Sequence, residues 1–339
     1  MRSALVGTQV KPQPDVGGRE AAEISELLRL FGAAAPGAIL LALAGGPLRT
    51  KDLTTRVPGY APRTIYRYAS KLGEIGAIER EEEPGVPSKV VHSLADPCGI
   101  ELCELVDRFG RATLQALPGG EIVPHSWGSV TLLADLWESG MFKELIAGPC
   151  TATELARVSH DLSFHQVSRR INLFMIGGML CEAEDGLKRR RYELTEQARR
   201  GVGLIAALGS WRERYAGAPG ETGLTLGETA DVVRAVVPLV VLPEHAGECF
   251  RLEVAQPGGN NGDEGEIVWL ELDPEGRAVA YPGPLEQCDG WGHGEAGDWI
   301  EALVRGEAKV ATGGTESAAV DDCLEEMQAA LWTRAATPS

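Results

Sequence analysis

The chain has 339 residues, 44% hydrophobic and 24% charged, enough apolar material for two or three domains with real cores. Its formal charge of -17 excludes uniform binding to nucleic acid, because a polyanion repels phosphate over most of its surface. Seven cysteines without a CxxC pair and six histidines without HExxH exclude a recognisable disulfide framework or zinc site, so no metal or cofactor is expected.

The opening residues, MRSALVGTQVKPQPD, lack the apolar stretch of a signal peptide. The longest apolar run, residues 38–44, falls far short of the roughly 20 residues that span a bilayer. A cytoplasmic protein with no membrane partner is therefore expected. Residues 1–35 read as a tail and a helix. Residues 48–56 read as a short helix, VPGYAP as a turn whose proline and glycine stop it, and residues 63–72 as a second helix. Ile65, Ala69, Leu72 and Ile75 lie at helical spacing on one side, which turns Arg63, Thr64, Tyr66, Arg67, Ser70 and Lys71 outward. AIEREEEPGVPSKVVHSL then reads as two strands joined by a polar turn.

The pattern recurs. Residues 45–80 align without a gap on residues 147–182, at an offset of 102. Gly46 meets Gly148, Pro47 meets Pro149, Leu53 meets Leu155, Arg67 meets Arg169 and Gly76 meets Gly178, with apolar pairs such as Ile65 and Val167 between them. Such a match marks a duplicated module, with copies over residues 36–120 and 121–216. In the second copy Val167, Ile171 and Phe174 make the buried stripe, while Ser163, His165, Gln166, Arg169 and Arg170 face out. Its strand pair lies in MLCEAEDGLKRRRYELT.

Helix, turn, helix and a two-stranded wing form the winged helix-turn-helix layout. The run GPLRTKDLTTRVPGYAPRTIYRYASKLGEIGAIER, followed by PGVPSKVVHSL, resembles the HxlR family of bacterial transcription regulators. The second copy resembles it from WGSVTLLADLWESG through TEQARRGVGLIAALGSW. The resemblance implies double-stranded DNA as partner. Members of that family usually carry one module and dimerise, so this chain implies either a monomer with its two modules as a pseudo-twofold pair or a homodimer.

The charge distribution agrees. Residues 217–339 hold 6 Lys and Arg against 23 Asp and Glu, and so carry the whole excess, while residues 1–216 balance to zero. Local cations there can neutralise phosphates. Arg63, Arg67, Lys71, Lys89, Arg169, Arg170, Lys188, Arg189, Arg190 and Arg191 are candidates for the DNA backbone. Base reading falls to outward residues early in each second helix, such as Arg63 and Thr64, and His165 and Gln166, while outward Tyr66 and Ser163 are further DNA-binding candidates. Glu79, Glu81, Glu82 and Glu83 on the first wing would repel phosphate.

The acidic segment over residues 217–339 reads as a separate small α+β domain, and residues 1–216 are expected to bind operator alone. Residues 231–242 read as a buried helix. ECFRLEVAQ, EIVWLELD and RAVAYP read as strands, the second covered on both faces. GDWIEALVRGEA and ESAAVDDCLEEMQAALWTRA read as amphipathic helices. This order resembles the sterol-carrier-protein-like fold, with Trp299, Gly306 and Met327 at corresponding places. That likeness implies an apolar cavity for a small-molecule effector, with Phe250, Trp269, Trp291, Trp299 and Trp332 as lining candidates. No GxSxG or GxGxxG fingerprint occurs, and no enzyme is expected. The whole reads as an α+β chain of two tandem winged helix-turn-helix modules and a small domain with a mixed or antiparallel sheet. The alternative is a ligand-sequestering or protein-interaction protein that uses its winged helices as assembly surfaces.

Overall fold

A computed structural model describes residues 24–84, 89–114, 128–159, 162–183, 189–215, 223–256, 265–281, 283–284, 288–307 and 309–332. The expected tail over 1–23 and the wing cation Lys188 lie outside them. The described chain is α+β.

Helices α1 (Ile24–Gly32) and α2 (Ala35–Leu43) lead into strand β1 (Leu48–Arg49), helices α3 (Thr50–Arg56) and α4 (Pro62–Glu74), strands β2 (Ile78–Glu83) and β3 (Lys89–Leu94), and helix α5 (Cys98–Leu114). The helix expected over 48–56 loses its first two residues. Leu48 and Arg49 pair instead with His92 and Val91, adding an edge strand to an antiparallel sheet of order β1-β3-β2. That pairing satisfies backbone groups that a first helical turn would leave without partners. Helix α4 forms because Pro62 presets its first turn and Ile65, Ala69 and Leu72 supply one buried stripe.

The next elements are α6 (Gly128–Glu138), α7 (Met141–Ala147), α8 (Ala152–Val158), α9 (Phe164–Ile176), β4 (Leu180–Glu182), β5 (Tyr192–Leu194) and α10 (Glu196–Tyr215). Helices α8 and α9 begin and end 102 residues after α3 and α4. The turns that close α4 and α9 match as well. Gly76 and Gly178 take φ of 79° and 71°, and the following amides, of Ala77 and Met179, each donate back at 2.8 Å, to the carbonyls of Leu72 and Phe174. The counterpart of β1 is a single antiparallel bridge between Cys150 and Tyr192.

Elements at matching places in the two series pack on each other. Helix α1 crosses α6, and α5 lies along α10. At the first crossing a Cβ on Gly32 would stand 2.4 Å from Thr131 Oγ1 and 3.0 Å from its backbone nitrogen, so only glycine allows this approach. Arg29 pairs with Glu138 beside it. At the second, fully buried Trp211 donates its indole N–H to the Cys98 carbonyl at 2.8 Å.

The remaining elements are α11 (Leu226–Val236), β6 (Cys249–Ala255), β7 (Glu266–Leu272), β8 (Ala278–Tyr281), β9 (Gly290–Glu295), α12 (Ala296–Arg305), β10 (Ala311–Gly314) and α13 (Ser317–Trp332). The helix expected over 231–242 starts earlier and stops earlier. Thr225 and Glu228 cap it reciprocally, and Pro238, lacking an N–H, turns the chain into a 3-10 turn over Val237–Leu239. The sheet is mixed, in order β10-β9-β6-β7-β8, with β6 and β9 parallel and the other pairs antiparallel. Helices α11, α12 and α13 pack against it. Val268, Leu270 and Leu272 of β7 are buried while Ile267 and Trp269 are half-buried, so this strand is covered on one face, not on both as its composition suggests.

Helix α10 touches α1 and α5 as well as α11, α12 and α13. Residues 201–211 are consequently buried without a break, and one hydrophobic core runs through all three parts of the chain. A helix apolar on every side is stable only inside such an assembly. Among the described residues no single helix is long and apolar enough to cross a membrane.

Candidate nucleic-acid interface

The outward face of α4 carries exposed Arg63, Tyr66, Arg67 and Lys71, with Thr64 half-buried beside them. Tyr66 is 49% exposed. The Arg67 guanidinium stacks over the Tyr68 ring, 4.6 Å from its centroid, which orients it along the helix surface. Lys89 opens β3 directly opposite Glu83. The wing is anionic: Glu79, Glu81 and Glu82 are exposed, and Arg80 is engaged with Glu82 at 2.9 Å. At the foot of this sheet His92 is buried, with Thr50 Oγ1 3.2 Å from its Nε2. Burial and then the neighbouring Arg80 cation hold its pKa below the ordinary imidazole value.

The second helix pair differs in detail. Ser163 and Gln166 form a capping box at the start of α9, with the Ser163 backbone and hydroxyl both 2.8 Å from Gln166 Oε1 and the Gln166 amide 3.4 Å from Ser163 Oγ. Their polar atoms thus serve the helix terminus, leaving His165 and Arg169 as exposed polar groups, with Arg170 half-buried. Phe164, Leu173 and Ile176 are 57%, 45% and 84% exposed. Leu173 and Ile176 stand where α4 has Lys71 and Glu74.

The wing cations also divide. Arg189 and Arg190 are exposed, Arg190 making a loose 3.4 Å pair with Glu182. Arg191 instead turns inward and donates to the Pro149 carbonyl, tying the wing to the turn before α8. This bond gives Arg191 a structural contact that Arg189 and Arg190 are not shown to make.

The first part of the sequence matches a known family. Residues 35–115 match the HxlR-like helix-turn-helix family. No curated protein and no solved structure matches the chain. The HxlR-like segment runs from α2 into α5 and contains α3, α4 and the acidic wing, a layout of DNA-binding transcription regulators.

The five aromatic residues assigned to a ligand cavity do not converge. Phe250 and Trp299 are fully buried on the helical side of the sheet, where the Trp299 indole donates to the Glu253 carbonyl at 2.9 Å. Trp269 and Trp291 flank Arg251 in register and lie on the opposite face. Strand alternation dictates this, since Phe250 and Arg251 are neighbours in one strand. Trp332 ends α13, donating to Leu303 at 2.9 Å beneath the Arg108 guanidinium.

Sequence reasoning missed a polar node between the parts. Glu101 of α5 is 2.7 Å from Arg214 of α10 and from Arg305 of α12, and accepts from the Tyr215 hydroxyl at 2.8 Å. Burial and this contact push the Tyr215 phenol up to about 12.

Proposed function

We propose that this chain is a transcription regulator in which two winged helix-turn-helix modules on one polypeptide grip the two halves of a single operator. The observation that supports the reading is the packing of matching helices on each other, α1 on α6 and α5 on α10, as a twofold pair of modules within one chain would require. The HxlR-like segment supplies the first module, and the repeat at 102 residues supplies the second. Arg63, Arg67 and Lys71 of α4, Arg169 of α9, and Arg189 and Arg190 of the second wing hold the DNA backbone. The acidic C-terminal part, similar in element order to the sterol-carrier-protein-like fold, clamps α5 and α10 and answers to a small-molecule effector.

The test is a gel shift of the full chain against the DNA upstream of its own coding region, at two salt concentrations. Specific binding should weaken with salt at a slope of roughly −0.9 per neutralised phosphate. Equal affinity for random duplex at both salts would reject the operator reading. A second reading, in which α9 serves a protein partner, is favoured by the exposure of Ile176 and Leu173; alanine at both would then leave DNA affinity unchanged.

A further inference from the structure

A crevice of about 490 Å³ opens between the start of α5 and the end of α12, at the junction of the HxlR-like segment with the acidic C-terminal part. Its accessible apolar surface comes from Pro97 and Ile100, while Leu105 is 7% exposed and Val304 is fully buried behind them. Ile100 is 42% exposed there.

The charges around it are of two kinds. Its two cations are already engaged: Arg108 donates to the Val304 carbonyl at 2.6 Å and stacks 4.4 Å from the Trp332 ring, and Arg305 pairs with Glu101 at 2.7 Å and with Glu301 at 3.3 Å. The exposed carboxylates Asp96, Glu104 and Glu307 line the same crevice, and no ion pair reaches any of them among the described residues. The charge left to meet a ligand is therefore negative, beside the exposed Pro97 and Ile100.

We infer that this crevice binds an organic cation with an apolar body, its hydrocarbon on Pro97 and Ile100 and its charge among Asp96, Glu104 and Glu307. Such a ligand would wedge beside the Glu101–Arg305 contact, which joins the helix after the first wing to the C-terminal part. The inference deepens the regulator reading, and rests on it, by giving its effector a place and a chemical class; the binding test below contains no DNA, so the two can fail separately.

The experiment is calorimetric titration of the full chain with tetraphenylphosphonium and, separately, with tetraphenylborate, which has the same shape and the opposite charge. The cation should bind at least about tenfold more tightly than the anion. In the Glu104→Gln/Glu307→Gln double variant its Kd should rise about tenfold, with thermal unfolding unchanged because both side chains are exposed. Ile100→Ser should weaken both probes. Absence of cation binding, equal binding of the anion, or an unchanged Kd in the double variant each overturns the inference. A shift in operator affinity with bound cation would then support the effector role, and none would reject it while leaving the site itself standing.

Discussion

Glu101 of α5 and Arg214 of α10 meet at 2.7 Å, joining the two helices that follow the two wings. The carboxylate side chain is only 15% exposed, and Arg305 and Tyr215 share it. Removing one member of a largely buried ion cluster leaves the others uncompensated, at a cost of about 3–5 kcal/mol. Glu101→Ala should therefore lower stability by that order in urea unfolding. A loss under about 1 kcal/mol would mean that solvent already satisfies Arg214 and Arg305.

Truncation after residue 215 should prevent folding. The cut would bare the side of α10 that meets α11, α12 and α13, within a stretch, residues 201–211, that has no exposed position. Charge partition alone suggests an independent N-terminal two-thirds, whereas the shared core predicts aggregation and no operator binding. A soluble, cooperatively unfolding fragment would refute this expectation.

The wing cations should separate by role. Arg189→Ala with Arg190→Ala should flatten the salt dependence of DNA binding by roughly 1 in slope per lost contact, without affecting stability. Arg191→Ala should leave the slope alone and lower the unfolding midpoint, since it deletes the tie to Pro149. The reverse assignment would place Arg191 on the phosphates.

Two histidines should give opposite pH dependences. His92 has its pKa held below the ordinary 6.5 by burial and Arg80, so the unfolded chain binds a proton more readily and stability falls as pH drops below about 6.5. Burial acts on His245 in the lowering direction, but Asp322 at 3.0 Å and Glu248 at 3.3 Å outweigh it and raise the value. Its contribution is present below 6.5 and disappears as pH rises through the raised value. Urea melts of His92→Gln and His245→Gln across pH 5 to 8 should flatten the acid and the alkaline limb respectively; unchanged profiles would dismiss both assignments.

Gly32→Val should separate α1 from α6, because the new Cβ would stand 2.4 Å from Thr131 Oγ1 and 3.0 Å from its backbone. Overpacking of this kind costs about 1–3 kcal/mol. Thr131→Ala should restore only part, since the backbone contact remains. Full recovery would show that the side chain alone sets the spacing.

What was legible in the sequence followed physical periodicity. Helix α4 is readable because Ile65, Ala69 and Leu72 repeat at helical spacing, and the repeat because its glycine-ended turns recur with it. Strand β9 escaped because its inward positions are Gly290, Gly292 and Gly294, so no apolar alternation marks it; a Cβ at Gly292 would already touch Leu252 and Trp299 at 3.3 Å. Ser163 and Gln166 fit the Ser-x-x-Gln capping signature, which competes with the DNA-binding roles expected of them. The face taken by each tryptophan depends on register, and Glu101 meets partners more than a hundred residues away; neither is written in local pattern.

If the chain reads its operator as proposed, matching helices that meet inside one chain spare the reader a bimolecular assembly step. Operator occupancy should rise in first order with chain concentration at every dilution, where a reader built from separable subunits loses its grip faster than linearly once it dissociates. Covalent linkage also frees the halves from identity. A substitution in a symmetric dimer is written into both half-sites at once, whereas here Lys71 and Glu74 on one side could drift to Leu173 and Ile176 on the other. The target that such a reader would match is a non-palindromic site whose two halves meet different surfaces.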